Sequence, residues 1–202
     1  MSRYTGPKTR ISRKFGEDLS LKTNAAKTAR RLSQAPGQHG AKMRRKLSQY
    51  GLQLKQKQKV KAIYGVSEKQ LIRLYKEAAS KETNTGMTLL SYLERRLDNV
   101  IYRAGLAPTR AAARQLVSHA HFYVNGHKLD IPSYRVQVND VITVRPQSSG
   151  IKVISDALKN NTRPDLNWLQ VKGGVIKVTT LPTREETLEA IDEQLIIEYY
   201  SR

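Results

Sequence analysis

The sequence predicts an α+β chain: a basic N-terminal arm and a helical domain completed by the C-terminal segment, with an inserted small helix-plus-β-hairpin module and a short antiparallel sheet. Three observations predict it. Apolar residues recur at helical spacing between Tyr50 and Val117. After Ala120 the period drops to two, and Asn125-Gly126 is a strong hairpin signal. The chain closes on an acidic amphipathic stretch whose apolar stripe needs a partner.

Residues 1–40 alternate basic residues with Gly, Pro, Ser and Thr, which predicts an extended arm with one short helix around Ala25–Leu32. Its few apolar groups offset little of the ordering entropy, so a partner is expected to order it. Ala35-Pro36-Gly37-Gln38-His39-Gly40 reads as a turn whose N–H groups can approach an anion. Tyr50–Ile63 reads as a helix stopped by Gly65. Ser67 and Gln70 form a capping box for the next helix, which buries Leu71, Leu74, Tyr75 and Ala78. Gly86 precedes a third helix carrying Leu89, Leu93, Leu97 and Val100, with Leu90 and Ile101 widening the stripe and Gly105 closing it. Asp98 and Arg103 read as an intramolecular pair or as surface charges. Thr109 caps a fourth helix, in which Arg110 and Arg114 share one exposed face and Ala113, Leu116 and Val117 face the core.

His121–Val124 reads as a strand, Lys128-Leu129 as the start of its return, and Val136, Val138, Val141, Ile142 and Val144 as further short strands. Asn139-Asp140 is a turn. A helix is expected over Ile151–Leu158, then a hairpin from Trp168 to Val178 around Gly173-Gly174. Glu185–Tyr200 reads as one helix with Leu188, Ile191, Leu195 and Tyr199 in a stripe. Its acids point to the basic helices of residues 50–79 as its cover. Trp168 and Tyr199 are expected in the core.

Charge narrows the function. The 202 residues hold 36 Lys and Arg against 17 Asp and Glu, a net of +19. Residues 1–62 hold 17 of those bases against Glu17 and Asp18, a net of +15, and the remaining 140 residues carry only +4. Residues 185–198 hold six acids and no base. So polarised an excess points to a polyanion, and nucleic acid is the commonest. The basic stretch lacks the bulky apolar face that an anionic membrane would require. No run of about 18 apolar residues occurs, and the N-terminus lacks the apolar core of a signal peptide, so a soluble chain is expected. Cysteine is absent, which excludes disulfides, thiolate zinc sites and cysteine nucleophiles. No Gly-x-x-x-x-Gly-Lys run or Gly-x-Ser-x-Gly elbow is present, and no enzyme or cofactor is expected.

Glu94–Arg103, Thr109–His119, Val124-Asn125-Gly126, Asp130–Tyr134 and Asn139-Asp140 together resemble the small RNA-binding module named after small ribosomal subunit protein number four. Pseudouridine synthases, some aminoacyl-tRNA synthetases and heat-shock RNA binders also resemble that module. Pro36–Gly40, Ser48–Leu54, Gln58-Lys59-Val60, Tyr64-Gly65-Val66, Trp168-Leu169 and the ending Ile196–Arg202 extend the resemblance to the ribosomal family itself, in its bacterial and organellar branch. The resemblance implies four regions: an arm at 1–45, a helical domain at 46–93 with 181–202 packing back on it, the RNA-binding module at 94–157 and its hairpin extension at 158–180. It also implies a structural constituent of the small ribosomal subunit. Such a protein binds a helix junction in the 5′ domain of small-subunit rRNA, nucleates assembly and contributes to translational accuracy. The implied neighbours are ribosomal protein number five and the path by which mRNA enters the subunit, in the cytoplasm or an organellar stroma or matrix. Some relatives hold zinc through cysteines in the arm; this chain has none, and no metal is expected.

A protein gripping an RNA junction reads shape and phosphate positions, work that suits the planar, bidentate Arg. The candidates in the arm and first helices are Arg3, Lys8, Arg10, Arg13, Arg44, Arg45, Lys55, Lys57 and Lys61. In the module they are Arg110, Arg114, His119, His121, Asn125, Lys128 and Tyr134. Lys55, Lys57, Lys59 and Lys61 do not share one helical face, so some are expected to meet only water. For His119 and His121, packing or surface exposure competes with RNA contact. Two other classes remain: an RNA-modifying enzyme, separable by pseudouridine formation on labelled RNA, and a free RNA chaperone, separable by sedimentation.

Overall fold

The computed structural model describes residues 4–40, 46–160, 166–187 and 189–202. The fold is α+β and divides into two compact units, Met1–Leu89 with Glu189–Arg202, and Leu90–Leu188.

In the first unit the arm departs from the extended reading. Lys8–Phe15 is a helix (α1), and Gly16 ends it in the left-handed region at φ 75°, donating its N–H to Ser12 O. Phe15 and Leu19 are buried, so the arm has a small core that its composition did not advertise. Arg13 donates to Gln34 O and Ala35 O, at 2.9 and 3.1 Å, tying α1 to the segment before Pro36. Ala25–Ala29 (α2) starts where the Asn24 side chain accepts from Lys27 N. Gln49–Tyr64 (α3) is capped by Ser48 and stopped by Gly65 at φ 62°. Glu68–Ala79 (α4) carries the complete Ser67/Gln70 capping box, worth about 1 kcal/mol. Thr85–Glu94 (α5) contains Gly86 within its first turn instead of following it.

The acidic C-terminal helix is shorter than its stripe predicts. Asp192 accepts from Gln194 N and Leu195 N and so starts the helix at Glu193; it runs to Tyr200 and is labelled α9 below. Upstream, Thr187 N bonds back to Arg184 O in a turn, and Leu188 lies outside the described residues. α9 packs along α3. Gln53 donates to Glu198 at 2.9 Å, and the Tyr50 and Tyr199 rings lie 5.7 Å apart. A Cβ on Gly86 would come within 2.8 Å of the Glu193 side chain; that close approach explains a glycine inside a helix despite its propensity cost.

In the second unit the expected third helix is broken. α5 ends at Glu94, Arg96 is extended, and Leu97–Arg103 (α6) starts afresh. The freed backbone is repaired from a distant loop: Leu97 N bonds to Tyr134 O, Asp98 N to Pro132 O, and Val136 N to Arg95 O. Arg110–Ser118 (α7) is capped by Thr109. Phe122–Val124 (β1), His127–Lys128 (β2), Val141–Val144 (β3), Lys152–Asn160 (α8), Leu169–Lys172 (β4) and Val175–Val178 (β5) complete the unit. The helix expected over Ile151–Leu158 thus starts one residue later and ends two residues later. Val136 and Val138 are not in a strand, because Val136 N is spent on Arg95 O. The sheet order is β2-β1-β3-β5-β4, with every neighbour antiparallel. Leu97, Ile101, Val117, Phe122, Ile142, Trp168 and Ile176 fill its core, each contributing about 1.5–3 kcal/mol of burial as an upper range.

Candidate nucleic-acid interface

The module's helices carry charge inside as well as outside. Arg103 binds Glu94 through two bonds, Nε at 2.9 Å and Nη2 at 2.7 Å. Asn99 Nδ2 donates to the same carboxylate at 2.7 Å. Arg96 binds Asp98 in the same forked manner, at 3.0 and 2.7 Å. These groups are all buried, which is tolerable only because the charges are paired and hydrogen-bonded. Asp98 and Arg103 therefore do not pair with each other; each takes a different partner.

Arg110 and Arg114 correct the sequence reading. Both are 8% exposed rather than surface groups. Arg110 Nε donates to Asn99 Oδ1 at 2.8 Å, and its guanidinium stacks 4.4 Å from the Tyr102 ring. Arg114 Nη1 lies 3.9 Å from Asp98 Oδ2, an ion pair. The helical wheel placed both on the face away from Ala113 and Val117, but α6 and its polar side chains cover that face too. Arg96, Arg103, Arg110 and Arg114 thus sit with Glu94 and Asp98 in one buried, charge-bearing layer. The clue available in the sequence was Glu94 set between Leu93 and Leu97: a carboxylate in an apolar stripe needs a buried cation.

At the hairpin tip, Asn125 and Gly126 both have positive φ, 51° and 81°, as a two-residue turn requires. The Asn125 side chain is engaged within the unit, donating to Asp140 at 2.8 Å and accepting from Val141 N at 2.9 Å. Asp140, buried, also accepts from Gln137 N at 2.7 Å and from the Tyr134 hydroxyl at 3.3 Å. Burial, then Asp140, pushes the Tyr134 hydroxyl up from its ordinary range. Asn125, Tyr134 and Asp140 thus form the latch that holds the tip, and His127 and Lys128 are exposed on it. His119 is exposed and His121 half-buried.

In the first unit, Lys57 is buried with its ammonium 2.8 Å from Glu68 and 4.1 Å from the Tyr199 ring centroid. Lys61 takes the other Glu68 oxygen at 2.8 Å, and the Tyr200 hydroxyl donates to Glu68 at 2.8 Å. Burial opposes the charge of both partners, yet the bonds prevail: Lys57 is raised and Glu68 is lowered to about 2. Lys59 is buried against Glu17 and the Ala190 carbonyl. Lys57 and Lys61 are thus turned inward because Glu68 and the C-terminal tyrosines converge on them. Arg10 is exposed, and Lys8, Arg13 and Lys55 are partly so. Arg3, Arg44 and Arg45 lie outside the described residues. Lys14, Lys22, Lys27, Arg30, Arg31 and Lys46 are exposed as well, a cationic surface of the arm that the candidate residues sampled only in part. Among the described residues no group of three His, Asp or Glu could hold a metal, and no helix is long and apolar enough to cross a membrane.

Two family matches cover residues 3–142. Residues 95–142 match the S4 domain, and residues 3–94 match the ribosomal protein S4/S9 N-terminal domain. The fold is therefore that of a ribosomal protein carrying an RNA-binding module. Small ribosomal subunit protein uS4 of Parabacteroides distasonis is 48% identical, that of Herpetosiphon aurantiacus 50% and that of Brevibacillus brevis 47%, in each case over the whole of both chains. The chain belongs to the small ribosomal subunit protein uS4 family, whose members are structural proteins and not enzymes.

Proposed function

We propose that this chain is a structural constituent of the small ribosomal subunit that binds the 5′ domain of small-subunit rRNA at a helix junction, early in assembly. The observation that carries the reading is the end-to-end similarity to proteins named uS4. The cationic arm surface, with Arg10, Lys14, Lys22, Lys27, Arg30 and Arg31 exposed on it, supports the reading, because phosphate contacts dominate such binding. In this reading the arm and the hairpin tip grip one folded RNA from two places. Arg10, Lys8, Lys55 and Lys128 supply phosphate contacts with Arg3, Arg44 and Arg45, while Lys57, Lys61, Arg110, Arg114, Asn125 and Tyr134 hold the presenting surfaces in shape. Nucleation of assembly, translational accuracy, proximity to ribosomal protein number five and to the path of incoming mRNA, and a cytoplasmic site belong to the same proposal.

Binding to a 5′-domain transcript in moderate salt, against random transcripts of equal length, tests it together with sedimentation of cell extract. Preference for the transcript and recovery in small subunits are expected. Equal affinity for both RNAs and absence from the subunits would refute it.

A further inference from the structure

The join between α7 and β1 contains a cluster that neither the buried arginine layer nor the hairpin latch uses. α7 ends with exposed His119 at its C-cap. The next residue, buried Ala120, sits at φ 58°, a left-handed conformation that a non-glycine residue rarely adopts. His121 follows. The strained residue thus lies between two histidines whose ring centroids are 6.0 Å apart. Such strain persists where surrounding structure enforces it, and it concentrates at functional positions.

Two further elements meet the histidines. Arg145, following β3, donates its backbone N–H to His121 O at 2.9 Å. Its Nε is buried without a hydrogen-bond partner among the described residues. The 3₁₀ turn Pro146–Ser148 brings Ser148 Oγ within 2.9 Å of His121 Nδ1, which leaves the far nitrogen of that ring for another partner. Burial, then the neighbouring His119 and Arg145, hold the His121 pKa below the ordinary range. His119, His121 and Arg145 are thus neighbours, and among the described residues neither histidine is hydrogen-bonded to an Asp or Glu, so the donor set suits an anion better than a cation.

We propose that His119, His121 and Arg145 form a seat for one phosphodiester of an RNA strand, with Ser148 orienting the His121 ring. The inference deepens the RNA-binding reading and rests on it. Arg145 brings donors that remain charged at any physiological pH, and the histidines add charge-assisted donors once protonated. A bound phosphate reverses the repulsion that His121 now feels, so RNA binding takes up a proton there and tightens as pH falls from 7.5 to 5.5.

The full-length chain and a 5′-domain transcript supply the test. Histidine ring resonances are followed against pH with and without saturating transcript, and with inorganic phosphate alone. A rise in the His121 titration midpoint on adding transcript is expected. A saturable shift of both rings with inorganic phosphate supports a preformed seat; a shift with transcript alone supports a seat completed by the strand. The variant carrying His119→Gln and Arg145→Gln should bind transcript roughly tenfold more weakly, with a log–log salt slope flatter by about 0.7–0.9. Arg145→Lys should recover most of the slope. Should the double variant unfold, His119→Gln alone, at an exposed position, should weaken transcript binding several-fold with the fold intact. An unchanged His121 midpoint and an unchanged slope in variants that still prefer the transcript would overturn the seat and leave the RNA-binding reading standing. Loss of preference for the transcript in the unaltered chain would overturn both.

Discussion

The two units solve the same problem of buried charge in opposite ways. In the second unit the partners are close in sequence: Glu94 with Arg103, Asn99 with Arg110, Arg96 with Asp98. In the first unit Glu68 is reached by Lys57 and Lys61 from α3 and by Tyr200 from the far end of the chain. The module therefore carries its own electrostatic scaffold in one short segment. The helical unit is finished only when the C-terminal residues return. The contrast also separates two kinds of cation, those that hold a surface in place and those exposed on it.

The largest expected effect breaks the module's local network. Glu94→Ala leaves the buried Arg103 guanidinium without its forked partner, and should destabilise by about 3–5 kcal/mol, read as a lower urea midpoint for the second unit. A change below about 1 kcal/mol would show that the layer is solvated.

Next is the non-local unit. Ile196, fully buried on α9, should cost about 2–5 kcal/mol when changed to Ala. Amide hydrogen exchange should then rise in α3 more than in β1 or β3. Equal loosening of both units would contradict their separate construction.

A smaller effect sharpens the comparison through pH. Glu68 is lowered to about 2 from an ordinary value of 4.5, so its contribution is present above pH 4.5 and lost as pH falls through about 2. The Glu68 side chain is 36% exposed, so solvent screening reduces this to about 1 kcal/mol. Glu68→Gln should remove that part of the acid dependence of stability between pH 5 and 2. An identical acid profile in the variant would show the carboxylate to be unimportant.

These features differ in how far the sequence reveals them. The hairpin at Asn125-Gly126, the Ser67 capping box and the hairpin around Gly173-Gly174 follow from rules acting over a few residues, and were legible. The break at Arg95–Arg96 was not, because the apolar stripe continues across it while hydrogen bonds to Tyr134 and Pro132 replace the helical ones. Nor could the wheel position of Arg110 and Arg114 disclose that α6 covers them. Lys57 looked like its neighbours on α3, since the acid and the tyrosine rings that bury it lie 11 and more than 140 residues away. Helical periodicity reports which side is apolar; it does not report which polar side chains another element will enclose.

The division between holding cations and binding cations is tested most directly by measuring transcript affinity against salt, with urea stability, for two double variants of the whole chain. Arg10→Ala with Lys14→Ala should flatten the log–log salt slope by about one to two units and leave the urea midpoint unchanged. Arg110→Ala with Arg114→Ala should lower the urea midpoint of the module. The opposite pattern, a flatter slope at full stability for the buried pair and no change of slope for the exposed pair, would contradict the account.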